Sequence, residues 1–149
     1  MTAKQDYFSK MLSILNPDVM PHELEVLASA VPAHMQARIA LHTKTPVHIL
    51  VKLAASSCPE VRCAVGENAS TPMEVLRRLA QDENPDVRYS LAENHNLSAE
   101  ILTILVSDDN PYVASRAEKT VARLMPGMSA RPKSAPISAQ SLMAYVACA

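Results

Sequence analysis

The sequence predicts an all-α chain of about four stacked helix pairs, and three observations carry that prediction. The 26 residues from Thr71 to Asn96 match the 26 from Thr45 to Ser70 without a gap. Each segment holds two short runs with apolar residues at helical spacing. The composition has one Phe, four Tyr, no Trp, two Gly and 11 Pro. A core of Leu, Val, Ile, Ala and Met suits packed helices, and scarce glycine argues against phosphate-cradling loops.

Thr71 to Asn96 defines the unit. Thr71 is the expected N-cap, Pro72 suits the first turn, and Glu74 can close a capping box with Thr71. Val75, Leu76, Leu79 and Ala80 form one apolar face. Asp82, Glu83 and Asn84 break the pattern, and Pro85 begins a second helix. Val87, Leu91 and Ala92 give that helix a narrower apolar face, which ends by Asn94 to Asn96. Helices of about ten residues are marginal alone and need neighbours.

The other copies follow in order. In the segment before it, Pro59-Glu60-Val61-Arg62 falls on Pro85-Asp86-Val87-Arg88, and Glu67-Asn68 falls on Glu93-Asn94. In the segment from Leu97 to Arg123, Glu100-Ile101-Leu102 matches Glu74-Val75-Leu76, and Asn110-Pro111 matches Asn84-Pro85. The first copy, from Met20, fits two residues shorter, with Arg38 aligned to Arg62 at a spacing of 24. Its first helix carries Leu24, Val26, Leu27 and Ala30 inward, and its second carries Met35, Arg38, Ile39 and Leu41. A period of 24–26 is the signature of an α-solenoid. Residues 2–15 form a helix ahead of the repeats, with Phe8, Met11, Leu12 and Leu15 on one face and a stop at Asn16-Pro17. The expected division is an N-terminal helix over 1–19, repeats over 20–125, and a Pro-, Ser- and Ala-rich tail over 126–149 whose last nine residues suit a short helix.

Bulk properties narrow the function. The net charge is −1, so there is no global attraction to nucleic acid or acidic membranes. Cys58, Cys63 and Cys148 are odd in number and irregularly spaced, which gives no disulfide framework. No apolar signal core or membrane-length run is present. The expectation is a reduced, cytosolic protein with no membrane partner.

The motif TP.(E/H)(V/I)L..LA, followed by NP.VR or CPEVR and then AEN or GEN, resembles the leucine-rich repeat variant and, more broadly, HEAT-like repeats. The resemblance covers about Met20 to Arg123. It implies alternating helices in a right-handed superhelix and a scaffold for macromolecular contacts without a shared catalytic activity. Some relatives carry an N-terminal cysteine cluster for an iron–sulfur centre. No cysteine precedes Cys58, so that cofactor does not carry over, and no cofactor is expected. The last copy departs from the pattern: Ala114 replaces the column arginine, and Ala117-Glu118-Lys119 replaces Ala-Glu-Asn.

Two candidate surfaces emerge. Arg38, Arg62 and Arg88 recur once per copy. One reading is a basic ladder gripping phosphates or acidic peptides. The other, which the resemblance favours, is an internal brace in which each arginine bonds the polar residue closing the preceding helix, Asp82 for Arg88 and Ser56 for Arg62. Arg116 is the expected substitute in the last copy. The second surface is the exposed stripe of the second helices: Glu60, Cys63 and Glu67, then Asp86, Tyr89 and Glu93, then Tyr112, Ser115 and Lys119, with Gln36 and Thr43 in the first copy. Its tyrosines can anchor a protein or peptide partner. His22, His34, His42, His48 and His95 form no zinc-protease pattern, and Cys58 and Cys63 form no CxxC. No nucleophile motif, P-loop or paired-carboxylate motif is present. The expectation is therefore a non-enzymatic, protein- or peptide-binding scaffold. The alternative is a nucleic-acid-binding or base-repair protein using the arginine column.

Overall fold

A computed structural model describes residues 3–124. The C-terminal tail and its expected short helix lie outside the described residues. Among these residues there are nine helices and no strand: α1 Ala3–Leu15, α2 Pro21–Ala30, α3 Ala33–Leu41, α4 Val47–Leu53, α5 Pro59–Glu67, α6 Met73–Leu79, α7 Pro85–Glu93, α8 Ala99–Val106 and α9 Pro111–Leu124. The chain divides into two compact units, Met1–Val75 and Leu76–Ala149. In each, helix pairs stack in the manner that builds an α-solenoid.

The register is stricter than the sequence pattern indicates. First-type helices begin at Pro21, Val47, Met73 and Ala99, and second-type helices at Ala33, Pro59, Pro85 and Pro111, every step being 26 residues. The first copy is thus not two residues short. The 24-residue spacing follows from matching one arginine to another, whereas the helix ends place Gln36, not Arg38, in line with Arg62. The last turn of α1 is also in register, since Leu15, Leu41 and Glu67 end α1, α3 and α5 at the same step. α1 is therefore a second-type helix in line with α3 and α5.

In the first unit, α3 packs against α1, α2, α4 and α5. Leu24, Met35, Ile39, Leu50, Val61 and Val65 form its core. In the second, α7, α8 and α9 pack on one another around Leu91, Ile101, Leu102 and Leu105. Val26 and Ala30 are exposed, so the inward positions of α2 are Leu24 and Ala28. On α1 Ile14 is buried, while Phe8, Leu12 and Leu15 face solvent.

The threonines of the Thr-Pro pairs do not cap the helices that follow them. Thr45 and Thr71 are buried, and their hydroxyls donate backwards to the carbonyls of Ile39 (2.5 Å) and Val65 (2.6 Å). They fasten the last turn of the preceding second-type helix, where carbonyls lack intrahelical partners. The helix that follows starts on the proline carbonyl, as Pro46 accepts from Ile49 and Pro72 from Val75.

A polar side chain recurs at the same 26-residue step: Asn16, His42, Asn68, Asn94 and Thr120. Four members accept from the backbone N–H two residues on, at Asp18, Lys44, Ser70 and Asn96. In the first unit the same side chains reach back one copy. Asn68 Nδ2 donates to the carbonyls of Ala40 (2.6 Å) and His42 (3.0 Å). Lys44 N–H occupies His42 Nδ1, which leaves the proton on Nε2 to face the Asn16 carbonyl at 3.3 Å. In the second unit Thr120 Oγ1 donates to the Ala92 carbonyl at 2.5 Å. Thr120 is thus the terminal counterpart of the repeat asparagine, one residue beyond the Ala117-Glu118-Lys119 triplet assigned to that place. No described residue has a positive φ, so these turns form without left-handed backbone, from side-chain bonds together with backbone bonds such as Thr45 N–H to the His42 carbonyl and Thr71 N–H to the Asn68 carbonyl.

Thr71→Val keeps the shape but removes one buried bond, and should cost about 1 kcal/mol. Asn68→Ala strands several groups and should cost about 2–4 kcal/mol. Urea unfolding of the full chain measures both, and the larger loss is expected at Asn68.

Candidate interaction surface

Three second-type helices, α5, α7 and α9, share a proline start. Pro59, Pro85 and Pro111 occupy the first turn, where a missing N–H costs nothing. Asn84 caps α7 through the Asp86 N–H at 2.7 Å, and Asn110 accepts from the Tyr112 N–H at 2.9 Å. At the corresponding place on α5 stands Cys58, whose thiol instead donates to Glu60 Oε2 at 2.6 Å. That bond, together with the Glu60 backbone N–H, holds the Glu60 carboxyl below its usual range.

The apolar side of each second-type helix is buried, and the opposite side carries the expected stripe. In the first unit Glu60 and Glu67 are exposed and Cys63 is half-buried on α5. In the second, Asp86, Tyr89 and Glu93 are exposed on α7, next to Tyr112, Ser115 and Lys119 on the adjacent α9. Tyr112 is 77% exposed and Tyr89 38%. Arg116 Nε lies 3.3 Å from Glu93 Oε1, close enough to pair but poorly aligned for a hydrogen bond. It therefore spans α9 and α7 within the stripe and does not replace the ladder arginine. Gln36 and Thr43 do not belong to the stripe. With the 26-residue register its positions on α3 are His34, Ala37 and Leu41, and Thr43 lies beyond the helix. On α1 they are Phe8, Met11 and Leu15. The prolines of the first copy, Pro21 and Pro32, each sit one residue off the step set by Pro46, Pro72, Pro59 and Pro85, and the arginine match drew the register further away.

The ladder turns its polar groups inward. Arg62 is buried, and its Nη1 donates to the Ser56 carbonyl at 2.8 Å. Arg88 Nη1 donates to the Asp82 carbonyl at 2.6 Å. Gln36 Nε2 does the same toward Ala28 at 3.0 Å. Each side chain supplies a donor to the end of the first-type helix before it. Arg38, expected in this series, is exposed one turn-position away. The bond from Arg88 goes to the Asp82 main chain, and its bidentate carboxylate partner is Asp108, one copy later: Nε to Oδ2 at 2.6 Å and Nη2 to Oδ1 at 3.1 Å. Burial alone would raise the Asp108 carboxyl. The bonds from Arg88 and the Asn110 N–H, with the Arg88 charge, outweigh it and hold Asp108 below the usual range. Hydrogen bonding to Asp108 raises Arg88 in turn. The open cleft beside them, about 290 Å³, is lined by Asp82, Asp108 and Asp109 against the one guanidinium.

Among the described residues no group of three or more His, Cys, Asp or Glu is gathered as metal ligands. Among the same residues no helix is long and apolar enough to cross a membrane.

Because Asp108 is more acidic folded than unfolded, the unfolded chain holds its proton to higher pH. The stability from this pair is complete above the unfolded value, about pH 3.9, and is lost as pH falls through the lower folded value. Asp108→Asn should remove that part of the acid limb and cost about 1–3 kcal/mol at neutral pH. Urea midpoints across a pH series would show both effects.

The leucine rich repeat variant family model matches residues 59–84. That stretch is one full period, running from the first residue of α5 to the residue before α7. Comparison with curated proteins and with solved structures returns no match. The chain is a helical-repeat protein, with a repeat of the leucine rich repeat variant at residues 59–84.

Proposed function

We propose that this protein is a non-enzymatic scaffold that binds another protein or a peptide on the exposed stripe of its second-type helices. The observation that carries this reading is the pair Tyr89 and Tyr112, exposed on adjacent helices and flanked by Asp86, Glu93 and Lys119. Rings on rigid helices contribute contact area at low entropic cost, which makes tyrosine a frequent anchor. In the first unit α5 carries Glu60, Cys63 and Glu67 at the corresponding positions, and a partner of that helix is expected to bring basic groups. Membership in a helical-repeat class supports a binding role, because such repeats present extended surfaces.

Nucleic-acid binding through the arginines is the weaker reading. Phosphate binding needs several cations directed at solvent. Arg62 and Arg88 spend their donors on carbonyls and Asp108, and the cleft beside Arg88 carries three aspartates.

The test is affinity capture with the full chain, identification of the bound protein, and titration of that protein against Tyr89→Ser/Tyr112→Ser. The double variant should keep its helical spectrum and bind about 30-fold more weakly, the loss expected of a hot-spot pair at about 2 kcal/mol. Unchanged affinity would remove the stripe from consideration. Tight binding of duplex DNA, abolished by Arg38→Ala, would favour the alternative.

A further inference from the structure

We infer that the apolar segment Ser141 to Ala149 folds back over α8 and closes the last repeat. The face it covers is identified by the bonds between successive first-type helices. Glu25 on α2 meets His48 on α4, and Arg77 on α6 meets Glu100 on α8, each pair 23 residues apart. The column of Glu25, Val51, Arg77 and Thr103 therefore looks toward the first-type helix that comes next.

In the last copy this column is covered, although among the described residues no first-type helix follows α8. Glu25 and Val51 are exposed and Arg77 is half-buried. Thr103 is only 8% exposed. The second-type helix of the same copy does not account for this, since α5 packs on α4 and Val51 stays exposed. The Thr103 hydroxyl donates to the Ala99 carbonyl at 2.8 Å within α8, so the cover need bring no polar partner. Val106, one turn on, is also buried, where the earlier copies hold the smaller Ala28, Ala54 and Ala80. A terminal repeat that meets water is expected to be polar on its outer side. A side that is apolar and buried has an occupant.

The occupant is not a further repeat. α9 runs to Leu124, past Lys119, the step at which α5 and α7 end. Pro126 and Gly127 then fall where another first-type helix would run. Beyond them the sequence supplies one apolar run, Leu142-Met143-Ala144-Tyr145-Val146, and residues 134–149 carry no charged side chain. Leu142, Tyr145 and Val146 stand at i, i+3 and i+4, the spacing of one side of a helix. Residues 125–140 reach about 50 Å when extended, against about 12 Å for the eight residues of α8. A tether of that length holds the segment near α8 at an effective concentration of about a millimolar, which favours it over a second copy of the chain.

The chain has no Trp, so Tyr145→Trp in the full chain gives a single fluorescent reporter. Its emission should be shifted to the blue and shielded from iodide, and adding Thr103→Lys should shift it to the red and restore quenching. Independently, Leu142→Glu/Val146→Glu should speed amide exchange across α8 about tenfold or more. Exchange in α3 and α5 should stay unchanged and reports that the chain remains folded. Solvent-like emission from Tyr145→Trp, emission unmoved by Thr103→Lys, or α8 exchange unaltered by Leu142→Glu/Val146→Glu would each overturn the inference. So would α8 protection that falls on dilution, which would assign the cover to a second copy.

Discussion

The structure depends on how this chain satisfies the carbonyls at the ends of its short second-type helices. α3, α5 and α7 have nine residues each, so nearly half of their carbonyls lie in the last turn. Residues from outside the helix close them. In the first unit Thr45 takes Ile39, Asn68 takes Ala40, and Thr71 takes Val65. Because Asn68 belongs to the following copy, the bond that completes one helix also fixes the position of the next. Apolar burial supplies most of the stabilisation, and these bonds set the spacing at which it occurs.

The arginine ladder serves the other set of helix ends. Arg62 and Arg88 donate to carbonyls just beyond α4 and α6, while Asp108 meets two further donors of Arg88. A cation committed in this way is a poor hand for a phosphate. The exposed side is left to tyrosine and carboxylate, which is why the functional reading rests there.

Much of this was legible in the sequence. The 26-residue period, the proline starts, the inward faces of α6 and α7 and the stripe on α5, α7 and α9 follow from residue type and spacing. The rest was hidden for identifiable reasons. Asn16, Asn68 and Asn94 share with His42 an acceptor two residues ahead of an N–H, a likeness of capability that matching by residue type does not extend to the histidine. Arg38 matched Arg62 by name and drew the first copy out of register. Thr71 looked like a cap because hydroxyls commonly cap helices, but its burial directs it backwards.

The absence of left-handed backbone has an evolutionary consequence. Turns that depend on a glycine tie a loop to one residue, whereas here the turns after α1, α3, α5 and α7 use a side chain that recurs at a fixed distance along the chain. Loss or gain of 26 residues keeps in register the bonds that reach a fixed distance along the chain, such as Thr71 to Val65 and Asn68 to Ala40. A change of any other length does not. Such a chain can grow or shrink by whole copies through unequal crossing-over without prior adaptation of its joints, while single-residue insertions are penalised along its length.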